Sequence, residues 1–92
     1  MIVVSQDGKT VFPLEQVMLG IEKKVGWRAE VSYDIVLYPL GANPLTDDPT
    51  AIAEFTKEED AEDTLKILVD RYGMGRKTFY LSQIVSEGEA NG

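Results

Sequence analysis

The sequence predicts an α+β domain: an antiparallel meander of about five or six strands, with one amphipathic helix packed on one face. Three stretches carry that prediction. In TKEEDAEDTLKILVDRYG, residues Thr56–Gly73, the positions Ala61, Leu65, Leu68 and Tyr72 recur at i, i+4, i+7 and i+11, with Thr64 and Val69 beside them. At 3.6 residues per turn they form one apolar stripe, opposite Glu62, Asp63, Lys66 and Asp70. Val17–Val25 and Ala29–Tyr38 instead alternate with period two, as half-buried strands do. Near the N-terminus, Asp7-Gly8 separates two short apolar runs, the pattern of a tight hairpin.

Taken in order, Ile2–Ser5 and Thr10–Leu14 form the first hairpin, with a type I′ turn expected at Asp7-Gly8 because that turn needs positive φ at both central residues. Pro13 donates nothing to a ladder, so its strand belongs at a sheet edge or ends there in a bulge. Val17, Leu19 and Ile21 share one face of the third strand, and Gly26-Trp27 marks a turn. The fourth strand then points Ala29, Val31, Tyr33, Ile35 and Leu37 inward and Glu30, Ser32 and Asp34 outward. The second hairpin places Gly26 near its tip. Pro39 ends that strand, and the loop 39–49, GANPLTDD with flanking prolines, is long for a hairpin connection. Thr50–Phe55 is a further strand, with Ala51, Ala53 and Phe55 on one face.

The helix is expected over 57–72. Thr56 and Glu59 have capping-box spacing, Glu58, Glu59 and Asp60 suit the positive end of the dipole, and Gly73 suits a left-handed stop. Thr78–Val85 reads as a last strand carrying Phe79, Leu81 and Val85 on one face, with a short helix capped by Ser82 as the competing reading. Residues 1–86 are thus expected to make one domain, and 87–92 a disordered tail of small and acidic residues.

With 92 residues, 43% of them hydrophobic and 27% charged, the chain has the composition of one small globular domain. A net charge of −7 opposes binding to phosphate backbones, so no direct nucleic-acid partner is expected. No run has the roughly 18 apolar residues of a membrane span, and MIVVSQDGK lacks the features of a signal peptide. The expected location is therefore the cytoplasm.

Missing residue types narrow the chemistry further. The chain has no cysteine and no histidine. That excludes thiol nucleophiles, disulfides, thiolate metal sites and any Ser-His-Asp or Cys-His arrangement. The acidic run Glu58–Asp63 fans around the first helical turns and lacks the central glycine of a calcium loop. Asp47-Asp48 precedes Pro49 as turn residues do. Gly73-Met74-Gly75-Arg76-Lys77 follows a helix C-terminus, whose dipole repels anions. No catalytic, metal or cofactor residue is assigned, and the chain is expected not to be an enzyme.

What stands out is apolar and aromatic surplus at positions that should be wet. Ile67 lies off the helix stripe, Trp27 and Arg28 sit at a hairpin tip, and Val36, Tyr38 and Leu45 flank the long loop. Trp, Tyr and Arg are enriched in interface hot spots. The competing explanation is that Phe79, Tyr80 and Leu81 fold back over some of them.

The N-terminal IVVSQDGKTVF hairpin, the two alternating strands and the late EFTKEEDAEDTLKIL helix together resemble a group of short uncharacterised proteins of Gram-positive bacteria and their phages. The similarity covers residues 1–70 and lies in structural motifs; the 39–49 loop and the segment after Gly73 depart from it. It implies a strand-rich, one-helix fold and a bacterial or prophage setting, with no site residues. The reading favoured by the residues is a non-enzymatic protein-interaction or assembly module, its partner another protein or a second copy. The alternatives are an acidic nucleic-acid mimic that blocks a DNA-binding protein, and a small-ligand or metal-binding enzyme.

Overall fold

The computed structural model describes residues 1–43 and 46–82. The proposed interaction residue Leu45, the strand residue Val85 and the tail 87–92 lie outside them. The element order is β1 (Ile2–Val4), β2 (Val11–Pro13), a single 3-10 turn (Leu14–Gln16), β3 (Val17–Val25), β4 (Val31–Pro39), β5 (Thr50–Phe55), α1 (Glu58–Gly73) and β6 (Thr78–Tyr80). The α+β class is as expected.

The strands form two sheets, ordered β2-β1-β6 and β3-β4-β5, in place of one continuous meander. Pro13 is the last residue of edge strand β2, and the 3-10 turn after it redirects the chain before β3 begins. The second sheet is the antiparallel meander proper. In the first, β6 returns beside β1 in parallel, which the long stretch of chain between them, the second sheet and α1 included, allows.

One core joins both sheets and the helix. Val3, Phe12, Phe79 and Leu81 come from the first sheet and its continuation, Ile35, Leu37, Ile52 and Ala53 from the second, and Ala61 and Leu68 from α1. Leu81 follows β6 directly and is helical, as is Ser82, so the strand stops at Tyr80, short of the expected Thr78–Val85. Ser82 lies within the helical turn rather than capping it, and residues 83–85 lie outside the described residues. The Thr64 hydroxyl, buried on the same helix face, donates to the Asp60 carbonyl at 2.8 Å. The buried face of α1 centres nearer Thr64 than the apolar spacing suggests. That draws Ile67 against the core and leaves Val69 and Tyr72 exposed.

Helix termini and strand register correct three expectations. Lys57 is the N-cap and no side chain caps it, so Thr56 and Glu59 make no capping box. The left-handed stop falls at Gly75 (φ +79), because Met74 is still right-handed. Gly75 N–H then donates to Tyr72 O and Arg76 N–H to Arg71 O, a Schellman closure. In β5, Ala53 opposes Ile35 while Ala51 opposes Val36, making Ile52 the extra residue of a bulge. The bulge turns Ile52 and Ala53 both into the core and leaves Ala51 exposed.

The two sheets meet where the β1–β2 turn docks on the outer edge of β5. Gln6 N–H donates to Ile52 O at 2.8 Å, and its carboxamide accepts from Glu54 N–H at 2.9 Å and donates to Glu54 O at 3.4 Å. The side-chain amide does the work of a peptide group, so one glutamine closes this edge.

Candidate interaction surface

The β3–β4 ladder runs without interruption from Val17 opposite Pro39 to Val25 opposite Val31. Nine residues at about 3.4 Å each make a ribbon of roughly 30 Å. Core side chains occupy its Val17–Pro39 half, so the other end carries its apolar face into solvent. Val25 and Val31 continue the face that holds Ile21 and Ile35, yet both are exposed.

A three-residue loop closes this end. Gly26 N–H donates to Glu30 O at 2.7 Å and Ala29 N–H to Gly26 O at 2.9 Å. Neither Trp27 nor Arg28 has positive φ, while Ala29 has φ +63. This is a type I turn followed by a left-handed residue, a standard three-residue hairpin loop. The left-handed position falls on Ala29 rather than on the nearby Gly26, and β4 accordingly starts at Val31, two residues later than the alternation suggested. With Glu30 beginning the return, the indole of Trp27 projects outward at 87% exposure. The Arg28 guanidinium lies 4.5 Å from the indole centroid, a cation–π contact that orders both side chains.

Charge around the ribbon is sorted by strand register. Glu22, Asp34 and Glu54 lie directly beside one another across β3, β4 and β5. Asp34 is 1% exposed, against the outward, solvated position its alternation implied. Its Oδ2 pairs with Lys24 Nζ at 3.1 Å, while Oδ1 is buried without a hydrogen-bond partner. The hydrogen bond to Asp34 and then its charge, helped by Glu22 and Glu54, hold the Lys24 ammonium above the usual lysine range. Lys24 is thereby committed to its own sheet, leaving Lys23 and Arg28 as the cations that flank Trp27.

The six sequence candidates do not converge. Trp27 and Arg28 are at the tip as expected. Val36 is 3% exposed in the middle of β4, and so offers nothing to a partner. Tyr38, half-buried two residues further on the same face, sits opposite Met18. From Val31 to Tyr38 the strand covers roughly 24 Å, too far for one small contact patch to include both the tip and Tyr38. Ile67 packs against the core, because the helix rolls toward Thr64, and is withdrawn as a surface residue. Val25 and Val31 were not anticipated as surface residues. Their mutual pairing across a ladder longer than the core it covers is the signal that would have found them.

Among the described residues no group of three or more acidic side chains is placed to hold a metal ion, and no helix is long and apolar enough to cross a membrane. An open hollow on the outer side of α1 is lined by Leu65, Lys66, Val69 and Asp70 and gathers no reactive constellation. No family model, curated protein or solved structure matches the chain.

Proposed function

We propose that this domain is a non-enzymatic protein-interaction or assembly module that engages its partner through the β3–β4 tip. The observation that carries this reading is Trp27: the largest side chain in the sequence stands in water at the end of the β3–β4 ribbon, stacked with Arg28 and bordered by Val25 and Val31. Burying such an indole removes an apolar area of well over ~100 Å² from water, and Trp and Arg are both residue types enriched at binding hot spots. The matching surface is a protein with an apolar slot for the indole and carboxylates around its rim for Arg28 and Lys23. The absence of histidine and cysteine from the sequence leaves the surface, rather than a reaction, as the place to look. The resemblance to short phage and Gram-positive proteins favours a cytoplasmic partner in such a cell.

Immobilised domain and its Trp27→Ala variant should be compared for capture from bacterial and phage-infected lysates, followed by titration of whatever the wild type retains. The expected result is a partner whose affinity falls at least ~30-fold in Trp27→Ala, with a blue shift of Trp27 fluorescence on binding. A partner held equally by both proteins would move the interaction away from the tip.

A further inference from the structure

The two outer edges of the second sheet are finished in opposite ways. β5 is closed by Gln6, whereas β3, the other edge, pairs among the described residues with β4 alone. The bonds Leu40 N–H to Gln16 O and Gly26 N–H to Glu30 O bracket the ladder and set its phase. Even-numbered residues of β3 bond inward to β4. The N–H and C=O of Leu19, Ile21, Lys23 and Val25 therefore point away from the sheet, as does Val17 C=O, while Val17 N–H is taken by Leu14 O at the end of the 3-10 turn. A nine-residue edge with such a row of unpaired groups is a template for another strand. The core is also unfinished on this side: Val17, Leu19 and Ile21 are only half-buried where Ile35, Leu37 and Ile52 are fully buried.

We infer that β3 pairs antiparallel with β3 of a second copy, joining two three-stranded meanders into one six-stranded sheet across a two-fold axis at Ile21. The sequence of the strand is self-complementary in that register. On the core-side face Val17 opposes Val25, Leu19 opposes Lys23 and Ile21 opposes its own copy, so the exposed Val25 gains an apolar neighbour. On the other face Met18 opposes Lys24, whose methylene stem can lie along it, and Gly20 opposes Glu22. A side chain at Gly20 would meet nothing within 4 Å in the single chain, so there is room for the Glu22 carboxylate over it. This register uses all nine residues and opposes no like charges. Moving the axis to Glu22, Lys23 or Lys24 sets that charge directly against itself, which is unfavourable across a strand pair. The dimer uses the long side of the ribbon and leaves Trp27 at its end, so it stands independently of the proposed role of the tip.

Gly20 supplies the test. Light scattering coupled to size exclusion over a dilution series should show a concentration-dependent dimer. In Gly20→Glu the new carboxylate faces Glu22 of the second copy, and in Gly20→Lys an ammonium faces it; within one chain either side chain enters open space. Dimer association should weaken by roughly twofold to thirtyfold in Gly20→Glu and tighten in Gly20→Lys. Lys23→Pro, which removes an outward N–H without removing a bond to β4, should abolish the dimer while far-UV circular dichroism is retained. A monomer at all concentrations up to about 1 mM, a dimer indifferent to the charge at residue 20, or one that survives Lys23→Pro overturns the inference. A dimer lost only in Trp27→Ala overturns it as well, and shifts self-association to the tip.

Discussion

The two hairpin turns of this protein solve the same geometric problem and serve opposite ends. The β1–β2 turn, Gln6–Lys9, faces the protein. Gly8 takes its positive φ of +77; the Ser5 hydroxyl donates to Asp7 Oδ1 at 2.6 Å, and Lys9 N–H donates to the same oxygen at 2.9 Å. Gln6 then fastens the whole turn to β5. The β3–β4 turn faces away. Its positive φ falls on Ala29, and its most prominent side chain, Trp27, is bonded to nothing but the neighbouring Arg28 face. One turn is a joint, tied by polar groups at every position. The other is a display, in which backbone closure alone fixes an apolar side chain in water. Local turn geometry does not distinguish them; what the side chains reach does.

The largest effect expected from breaking this contrast is at Gln6. Replacing Gln6 by Ala removes both of its side-chain hydrogen bonds to Glu54 and opens the β5 edge, and should lower unfolding free energy by about 1–2 kcal/mol. Trp27→Ala should change it by less than ~0.5 kcal/mol, since an exposed side chain loses little on truncation. Urea denaturation with unchanged m-values measures both; equal losses would erase the distinction between joint and display. Next comes an exchange of opposite signs at the left-handed positions. Gly8→Ala should destabilise by about 1 kcal/mol, whereas Ala29→Gly should stabilise by about 0.5 kcal/mol, the relief of strain exceeding the extra freedom of the unfolded chain. A loss of stability in Ala29→Gly would mean that Ala29 makes a contribution its φ does not reveal.

Most of the fold was legible because it rests on periodicity. The alternation in Val17–Val25 reproduces β3 to the residue, and Asp7-Gly8 locates the first turn, although that turn closes through a Ser5 O to Gly8 N–H bond with only Gly8 at positive φ, not as type I′. What sequence could not show is where a period slips or stops. The bulge at Ile52 reverses the face of Ala51, and the parallel return of β6 to β1 depends on which edge remains open after the helix crosses. The candidate surface was legible in part for the same reason. Trp27 and Arg28 follow from a turn that local spacing defines. Val36 is buried and Ile67 partly covered because of the whole sheet and the roll of α1, which no spacing along the chain encodes.

The smallest effect separates the turns by pH. Asp7 in the joint has its carboxyl held below the ordinary aspartate value, chiefly by the Ser5 hydroxyl and then by the Lys9 N–H, against an opposing cost of burial and with further help from the Lys9 charge. A depressed folded-state value means that the unfolded chain takes up the proton first. The stability this carboxylate contributes is therefore complete above the ordinary value of 3.8 and disappears as pH falls through the lower folded-state value. Glu15 is lowered in the same direction by its hydrogen bond to the N-terminal ammonium, so acid sensitivity of the wild type alone would not identify Asp7. Comparison with Asp7→Asn does, since Glu15 is common to both. The stability difference between the two proteins should be constant from pH 7 to about 5 and shrink as pH falls below the ordinary value of 3.8. A difference that persists unchanged to pH 2 would show that the carboxylate charge adds nothing to the turn beyond the hydrogen bonds an amide oxygen also accepts. The display loop, Trp27–Ala29, holds no carboxylate, so it offers no such comparison.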